Sequence, residues 1–180
     1  MKLNKATVVR RYGQALFSLA EEKQQRTKLL AELAELKTLL ADNPDLIKVL
    51  LSKQVSYQEK KAVLDIIIKA ASPLTANLLR MLFDYNRIKD LSAIIDEYIR
   101  LNDQYEKTVH ARVTTAIALD DAQKEKLAAS FARVVGADKV ILEDQVDPSI
   151  MGGVVLKSNN YIYDGSLRFK LAKIKRLLLK

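Results

Sequence analysis

The chain has 180 residues, with 30 Lys+Arg against 22 Asp+Glu, a formal charge of +8, one His, no Cys and no Trp. That length supports one domain or two small ones, and with 5 Gly and 3 Pro the composition argues against disorder and against a turn-rich all-β fold. The lack of Cys excludes disulfides, thiolate metal sites and thiol nucleophiles, and a single His excludes a multi-histidine metal centre. Arg10, Arg11, Glu21 and Glu22 interrupt any apolar run after the basic start, and aliphatic runs are short, as at 66–68. Neither a secretory signal nor a membrane span is expected, so any membrane contact should pass through a partner or the surface.

Up to about residue 105 the pattern is helix after helix. Val9, Tyr12, Leu16 and Leu19 form one stripe at helical spacing, and Leu29, Leu33, Leu36 and Leu40 form a second, with Glu32, Glu35 and Lys37 outside it. Asn43-Pro44 places a cap residue before a first-turn proline and opens a short third helix. Ser56-Tyr57-Gln58-Glu59 is a capping box, followed by Val63, Ile67 and Ala70. Ser72-Pro73 opens a fifth helix to about Asp84, and Leu91, Ile94, Ile95, Tyr98 and Tyr105 mark a sixth. The expectation is a mostly α fold with a six-helix bundle over 1–105.

From 106 onward the period changes. Val109, Ala111, Val113 and Thr115 alternate with His110, Arg112 and Thr114, which predicts a strand. Asp120 or Asp121 caps a helix through Leu127 and Phe131 to Val135, ended by Gly136. Residues 139–146 read as a strand; 153–157 and 161–163 read as two more around a Ser158-Asn159-Asn160 turn. Asp164-Gly165-Ser166 starts a last helix with Leu167, Leu171, Ile174 and Leu178 on one face. Residues 106–180 thus form a small α/β domain, and the last helix either lies on a membrane or phosphate backbone or, the favoured reading, packs its stripe on the sheet with its lysines outside.

The positive excess sits at the two ends. Residues 1–20 hold Lys2, Lys5, Arg10 and Arg11, residues 166–180 hold six cations, and neither stretch holds an acid. The body is near neutral, which weakens a nucleic-acid reading; a basic helical nucleic-acid-binding adaptor stays as the alternative. No phosphate-binding loop is present. Gly152-Gly153 reads as a tight lead into a strand, His110 as a solvent-facing or hydrogen-bonded side chain, and the Glu21-Glu22 and Asp120-Asp121 pairs as ordinary helix solvation. No catalytic residue, cofactor, metal or small-molecule substrate is expected. On the fifth helix Leu74, Leu78, Leu82 and Tyr85 make one stripe, widened by Met81, while Leu79 and Phe83 make a second. Such a helix is either central to the bundle or offers a groove to a partner helix.

Three segments in order carry a resemblance. Arg11-Tyr12-Gly13-Gln14-Ala15-Leu16, the stretch Asn77-Leu78-Leu79-Arg80 through Asn86-Arg87-Ile88, and Val146-Asp147-Pro148-Ser149-Ile150-Met151-Gly152-Gly153 followed by Tyr163-Asp164-Gly165-Ser166-Leu167-Arg168 together resemble the delta subunit family of bacterial F-type ATP synthases, which includes the mitochondrial oligomycin-sensitivity conferral protein. Asp147, Gly152, Gly153, Asp164, Gly165 and Arg168 are the motif positions of its C-terminal signature. The resemblance implies a non-catalytic stator subunit, one copy per complex, on the cytoplasmic side of a bacterial inner membrane. It implies alpha and b-type subunits as partners, the alpha-subunit helix lying near Tyr12, Leu16, Leu79 and Phe83 and the b-type stalk on 106–180. That tips the fifth helix toward a groove. Asn86 stands where a glycine follows the fifth helix in many members, Ser158-Asn159-Asn160 replaces a Gly-Asp hairpin, and Gly13 replaces a common alanine, allowing either a looser helix or a closer helix contact.

Overall fold

A computed structural model describes residues 4–52, 54–158 and 161–178. It is mostly helical with a small four-stranded sheet toward the C-terminus, and the chain divides into two compact units, residues 1–102 and 103–180.

The first unit contains α1 (Lys5–Glu22), α2 (Arg26–Asp42), α3 (Pro44–Leu51), α4 (Tyr57–Ala70), α5 (Pro73–Asp84) and, after a 3-10 turn at Ile88–Asp90, α6 (Leu91–Tyr105), whose last turn runs past the unit's limit. Local chemistry sets most helix ends. The Ser56 hydroxyl accepts from the Glu59 amide at 3.3 Å while the Glu59 carboxylate accepts from the Ser56 amide at 2.9 Å, the reciprocal capping box. Ser72 caps α5 ahead of Pro73 more simply, its hydroxyl accepting from the Thr75 amide while its own amide donates to Glu32 of α2. Asn86, at φ 53°, takes the left-handed turn that closes α5. Asn43 departs from expectation: its side chain does not cap α3 but donates to the Leu39 carbonyl at 2.9 Å, serving the end of α2. With two helix ends this close, one amide side chain can satisfy only one of them.

Leu29, Leu33, Leu36 and Leu40 are buried along α2 as the spacing predicts. Two other stripes are shifted by about one residue. On α1 the buried set is Val8, Gly13, Leu16, Phe17 and Ala20, and Leu19 is 43% exposed. The cause lies on another helix: a Cβ at position 13 would fall 2.6 Å from Glu97 Cγ of α6, so glycine permits that approach and turns the neighbouring face inward. On α4 the buried residues are Leu64 and Ile68, while Val63 and Ile67 are half-buried and Ala70 is exposed.

Tyr98 of α6 lies fully inside this core, its ring 5.9 Å from Phe17 and its hydroxyl donating to the Arg26 carbonyl at 3.2 Å. Burial pushes the phenol up to about 12. A folded-state value above the free one means that the contribution to stability is complete below about pH 10 and is lost as pH rises through about 12. Alkaline titration followed by phenolate absorbance should therefore show one late tyrosine whose ionisation accompanies loss of helical signal. Tyr98→Phe should remove that late step at a cost of about 1 kcal/mol for the lost hydrogen bond. Titration of all the tyrosines together, with the helices intact, would contradict this.

The second unit follows with β1 (Thr108–Thr115), α7 (Asp121–Val135), β2 (Lys139–Val146), a 3-10 turn at Pro148–Ile150, β3 (Val154–Ser158), β4 (Ile162–Asp164) and α8 (Leu167–Leu178). Sheet order is β2-β1-β3-β4; β1 runs parallel to β2 in register Thr108↔Lys139 and antiparallel to β3 in register Val113↔Leu156. The parallel pair requires a crossover, and α7 supplies it, capped by Asp120 with Gln123 and ended at Gly136. α7 covers one sheet face, where Phe131 meets Ala111, Val113 and Leu156, and Lys124 pairs with Asp144 at the rim. Asn159 and Asn160 of the expected turn lie outside the described residues; Ser158 and Tyr161 close the hairpin, the Ser158 amide donating to the Tyr161 carbonyl at 2.8 Å.

α8 corrects the expectation for the last helix. None of its side chains is buried, and within its unit it packs against the Pro148–Ile150 turn rather than the sheet. The physical reason is the character of the face that α7 leaves open. That face carries exposed His110, Arg112, Glu143 and Lys157 beside Ile141 and Ile162, so its apolar surface is broken up by charge, and Arg112 and Lys157 repel a cationic helix.

Candidate functional site

Helical geometry distributes the four expected groove residues unequally. At about 100° per residue, Leu74, Thr75, Leu78, Leu79 and Leu82 fall on one wide arc of α5, and all are buried. Leu79 is 1% exposed and Leu16 of α1 is 5% exposed. Both lie in the core of the chain as it stands, because α5 packs against α1, α2 and α4 and needs a broad apolar face. Tyr12 and Phe83 are different, half-buried at the core's edge with surface to spare. Phe83 stacks on Tyr57 of α4 with ring centroids 5.2 Å apart, and the Tyr57 hydroxyl reaches Asp84 at 3.4 Å. Tyr57 was legible only as part of a capping box. The exposed apolar residues Leu19 of α1 and Met81 of α5 were hidden by the shifted phase of one stripe and the assumed burial of the other.

In the second unit the signature residues converge on one joint. Gly153, at φ 80°, faces Gly165 so closely that a Cβ would collide with the Gly165 carbonyl oxygen. The Gly165 amide donates to the Val154 carbonyl at 2.9 Å, and the Leu167 amide donates to the Gly152 carbonyl at 2.9 Å. Asp147 accepts from the Ser149 amide and Asp164 from the Ser166 amide, each at 2.9 Å. Those hydrogen bonds, with a smaller pull from the Arg168 guanidinium, hold both carboxyls below the usual carboxylate range. Arg168 also donates to the Ser149 hydroxyl at 3.3 Å, and the buried Ser166 accepts from the Phe169 amide at 3.1 Å. The joint fixes where α8 leaves the sheet. Gly152-Gly153 is a close backbone crossing, and the two aspartates serve turns.

His110, at the open face, has Nε2 3.3 Å from Asp103 Oδ2 and sits beside Arg112, Glu143 and Lys157 in a shallow depression of about 260 Å³. What both units offer is apolar surface on helices, the kind that docks other helices: Tyr12, Leu19, Met81 and Phe83 in one, the stripe of α8 in the other.

Comparison with known proteins places this arrangement. Residues 8–178 match the family described as ATP synthase delta (OSCP) subunit. ATP synthase subunit delta of Ligilactobacillus salivarius is 56% identical over 180 residues, covering all of both chains. The subunit of the same name from Pediococcus pentosaceus is 41% identical over 179 residues, 99% of each chain. In fold, the chain is similar to one from the Toxoplasma gondii mitochondrial ATP synthase hexamer, with a TM-score of 0.67 and 24% identity over 96% of this chain and 97% of that one. The chain belongs to the ATP synthase delta (OSCP) subunit family. It is accordingly a non-catalytic stator subunit of an F-type ATP synthase, a membrane-associated complex, and the relatives give the nucleic-acid alternative no support. Among the described residues no helix is long and apolar enough to cross a membrane.

Proposed function

We propose that this chain, present once per complex on the cytoplasmic side of a bacterial plasma membrane, ties the alpha subunits of the catalytic head to the b-type subunits of the peripheral stalk. The observation that carries the reading is the family match across residues 8–178. In this reading helices α1–α6 form a six-helix bundle over 1–105 that seats the N-terminal helix of an alpha subunit between α1 and α5. Residues 106–180 hold the stalk. A stator works by not letting go: two separate grips raise effective concentration, so that neither contact alone must bear the torque of rotation. Held in this way the head cannot turn with the central shaft, and proton flow is coupled to ATP synthesis.

With Leu16 and Leu79 in the core, the contact on the bundle narrows to Tyr12 and Phe83, with Leu19 beside Tyr12 on α1. Phe83→Asp should weaken binding of an alpha-subunit N-terminal peptide by at least about tenfold, because the partner helix would have to bury a carboxylate. Helical content should persist, since Phe83 is half-buried. Calorimetric titration with the peptide, beside a thermal melt, measures both. A folded variant with unchanged affinity removes the groove from α5.

A further inference from the structure

Gly13 is buried on α1 and faces Glu97 of α6: a Cβ at position 13 would fall 2.6 Å from Glu97 Cγ and 3.0 Å from Glu97 Cβ. Neither atom is the loose end of a side chain. The Glu97 carboxylate accepts two hydrogen bonds from the Arg100 guanidinium, each at 2.7 Å, and its side chain is only 14% exposed. Those bonds hold the carboxyl below its usual range, with a smaller pull from Arg10, one helical turn before Gly13. α6 thus holds a fixed wedge against α1 where α1 has no side chain. At about 100° per residue, Gly13 and Phe17 fall on one side of α1, and Tyr12 and Leu19 fall about 130° round on the other. Phe17 is buried, Tyr12 is half-buried and Leu19 is exposed. A rigid helix that sinks on one side lifts on the other, so the close approach at Gly13 turns the Tyr12 and Leu19 side outward. With a methyl group at position 13, the least costly relief is a turn of α1 about its axis, which carries Tyr12 and Leu19 in toward the core. The stripe of Val9, Tyr12, Leu16 and Leu19 is the face that such a turn would bury.

We propose that the contact between Gly13 and Glu97 is a positioning device for partner recognition: it sets the phase of α1 so that Tyr12 and Leu19 are presented to the alpha-subunit helix. This rests on the reading above that the helix docks between α1 and α5. It adds that the side of α1 which the partner meets is decided by α6, through Glu97, a residue the partner does not touch.

The test uses the full-length chain and the alpha-subunit N-terminal peptide. Gly13→Ala raises helix propensity while crowding Glu97, so the two effects oppose each other in the melt and the fold should survive. Peptide affinity, measured by calorimetry, should fall at least about fivefold. A second readout follows the turn of α1 directly. Leu19→Cys introduces the chain's sole thiol, and in a separate set of samples its maleimide reaction should be at least about threefold slower with Gly13→Ala than without it. Adding Glu97→Ala to Gly13→Ala removes the nearer of the two crowding atoms and should restore both affinity and thiol reactivity. Such a rescue marks positioning, since deleting a further side chain would only worsen a loss of packing. Peptide binding by Gly13→Ala equal to the parent's, a thiol that reacts at the parent's rate, or losses that Glu97→Ala does not repair overturn the proposal. An unfolded Gly13→Ala chain overturns it too, because the contact would then support the core itself. Phe83→Asp keeps the two questions apart. If that variant loses the peptide and Gly13→Ala does not, the groove stands and the positioning contact falls; if neither loses it, the groove falls and the positioning contact with it.

Discussion

Gly153→Ala is expected to melt residues 103–180 while leaving the first unit's transition in place. Two costs add at this position. The backbone sits at φ 80°, which an L side chain tolerates poorly, and the new methyl group would strike the carbonyl of Gly165, which is backbone and cannot rotate aside. Strain and overpacking of this kind together cost about 2–6 kcal/mol. The unit has little to spare: its buried apolar cluster is Ala111, Val113, Phe131 and Leu156, a small core for a domain of this length. Gly136→Ala is the matched control. Its φ is 68°, but nothing lies within 4 Å of the added Cβ, so only the left-handed conformation is penalised, by about 1–2 kcal/mol. Thermal unfolding of both variants, with strand amides followed by hydrogen exchange, separates the two costs. If Gly153→Ala melts together with Gly136→Ala, the glycine contact is not what holds the joint.

The signature segment was visible in the sequence as a pattern, but its reason was not. Asp147, Gly153, Asp164 and Gly165 are separated along the chain and explained by one crossing in space. Local chemistry was legible where a single helix end decides the outcome: Ser56 with Glu59, Ser72 before Pro73, Asp120 with Gln123 and Asn86 after α5 all behave as their residue types require. Asn43 failed because two helix ends compete for one side chain. The alternation of Val109, Ala111 and Val113 against His110 and Arg112 gave the correct faces of β1, because a period of two leaves no ambiguity of phase.

Phase was the weak point on helices. A stripe on α1 can turn by one residue with little change in its apolar content, and what turned it was the approach of Glu97 to Gly13 from a helix more than eighty residues later. The candidate groove inherited this. Whether Leu79 faces a core or a partner depends on how many helices surround α5, which periodicity along α5 alone does not contain. α8 carries the same lesson in reverse: its stripe was correctly found, but its partner depended on the polarity of a sheet face assembled from β1, β2 and β3.

Cutting the chain after residue 105 should separate the two grips. The first unit has its own continuous core, from Leu16 and Leu29 through Leu82 and Ile94 to Tyr98, so residues 1–105 are expected to fold and to melt cooperatively. The cut falls at the end of α6, past the last buried residue of that core, and removes no side chain from it. The fragment should bind the alpha-subunit peptide with an affinity within about threefold of the full chain's, since Tyr12 and Phe83 are both retained. It should lose the b-type subunit altogether, because the residues assigned to the stalk are gone. Assembled into the complex, the fragment would leave the head attached to a connector with one grip. ATP hydrolysis by the head should continue while proton pumping in inverted membrane vesicles falls to background, the signature of an unrestrained head turning with its shaft. Should the fragment keep full affinity for the b-type subunit, the stalk contact belongs to the helices of the first unit, and the division of labour proposed for the two units is wrong.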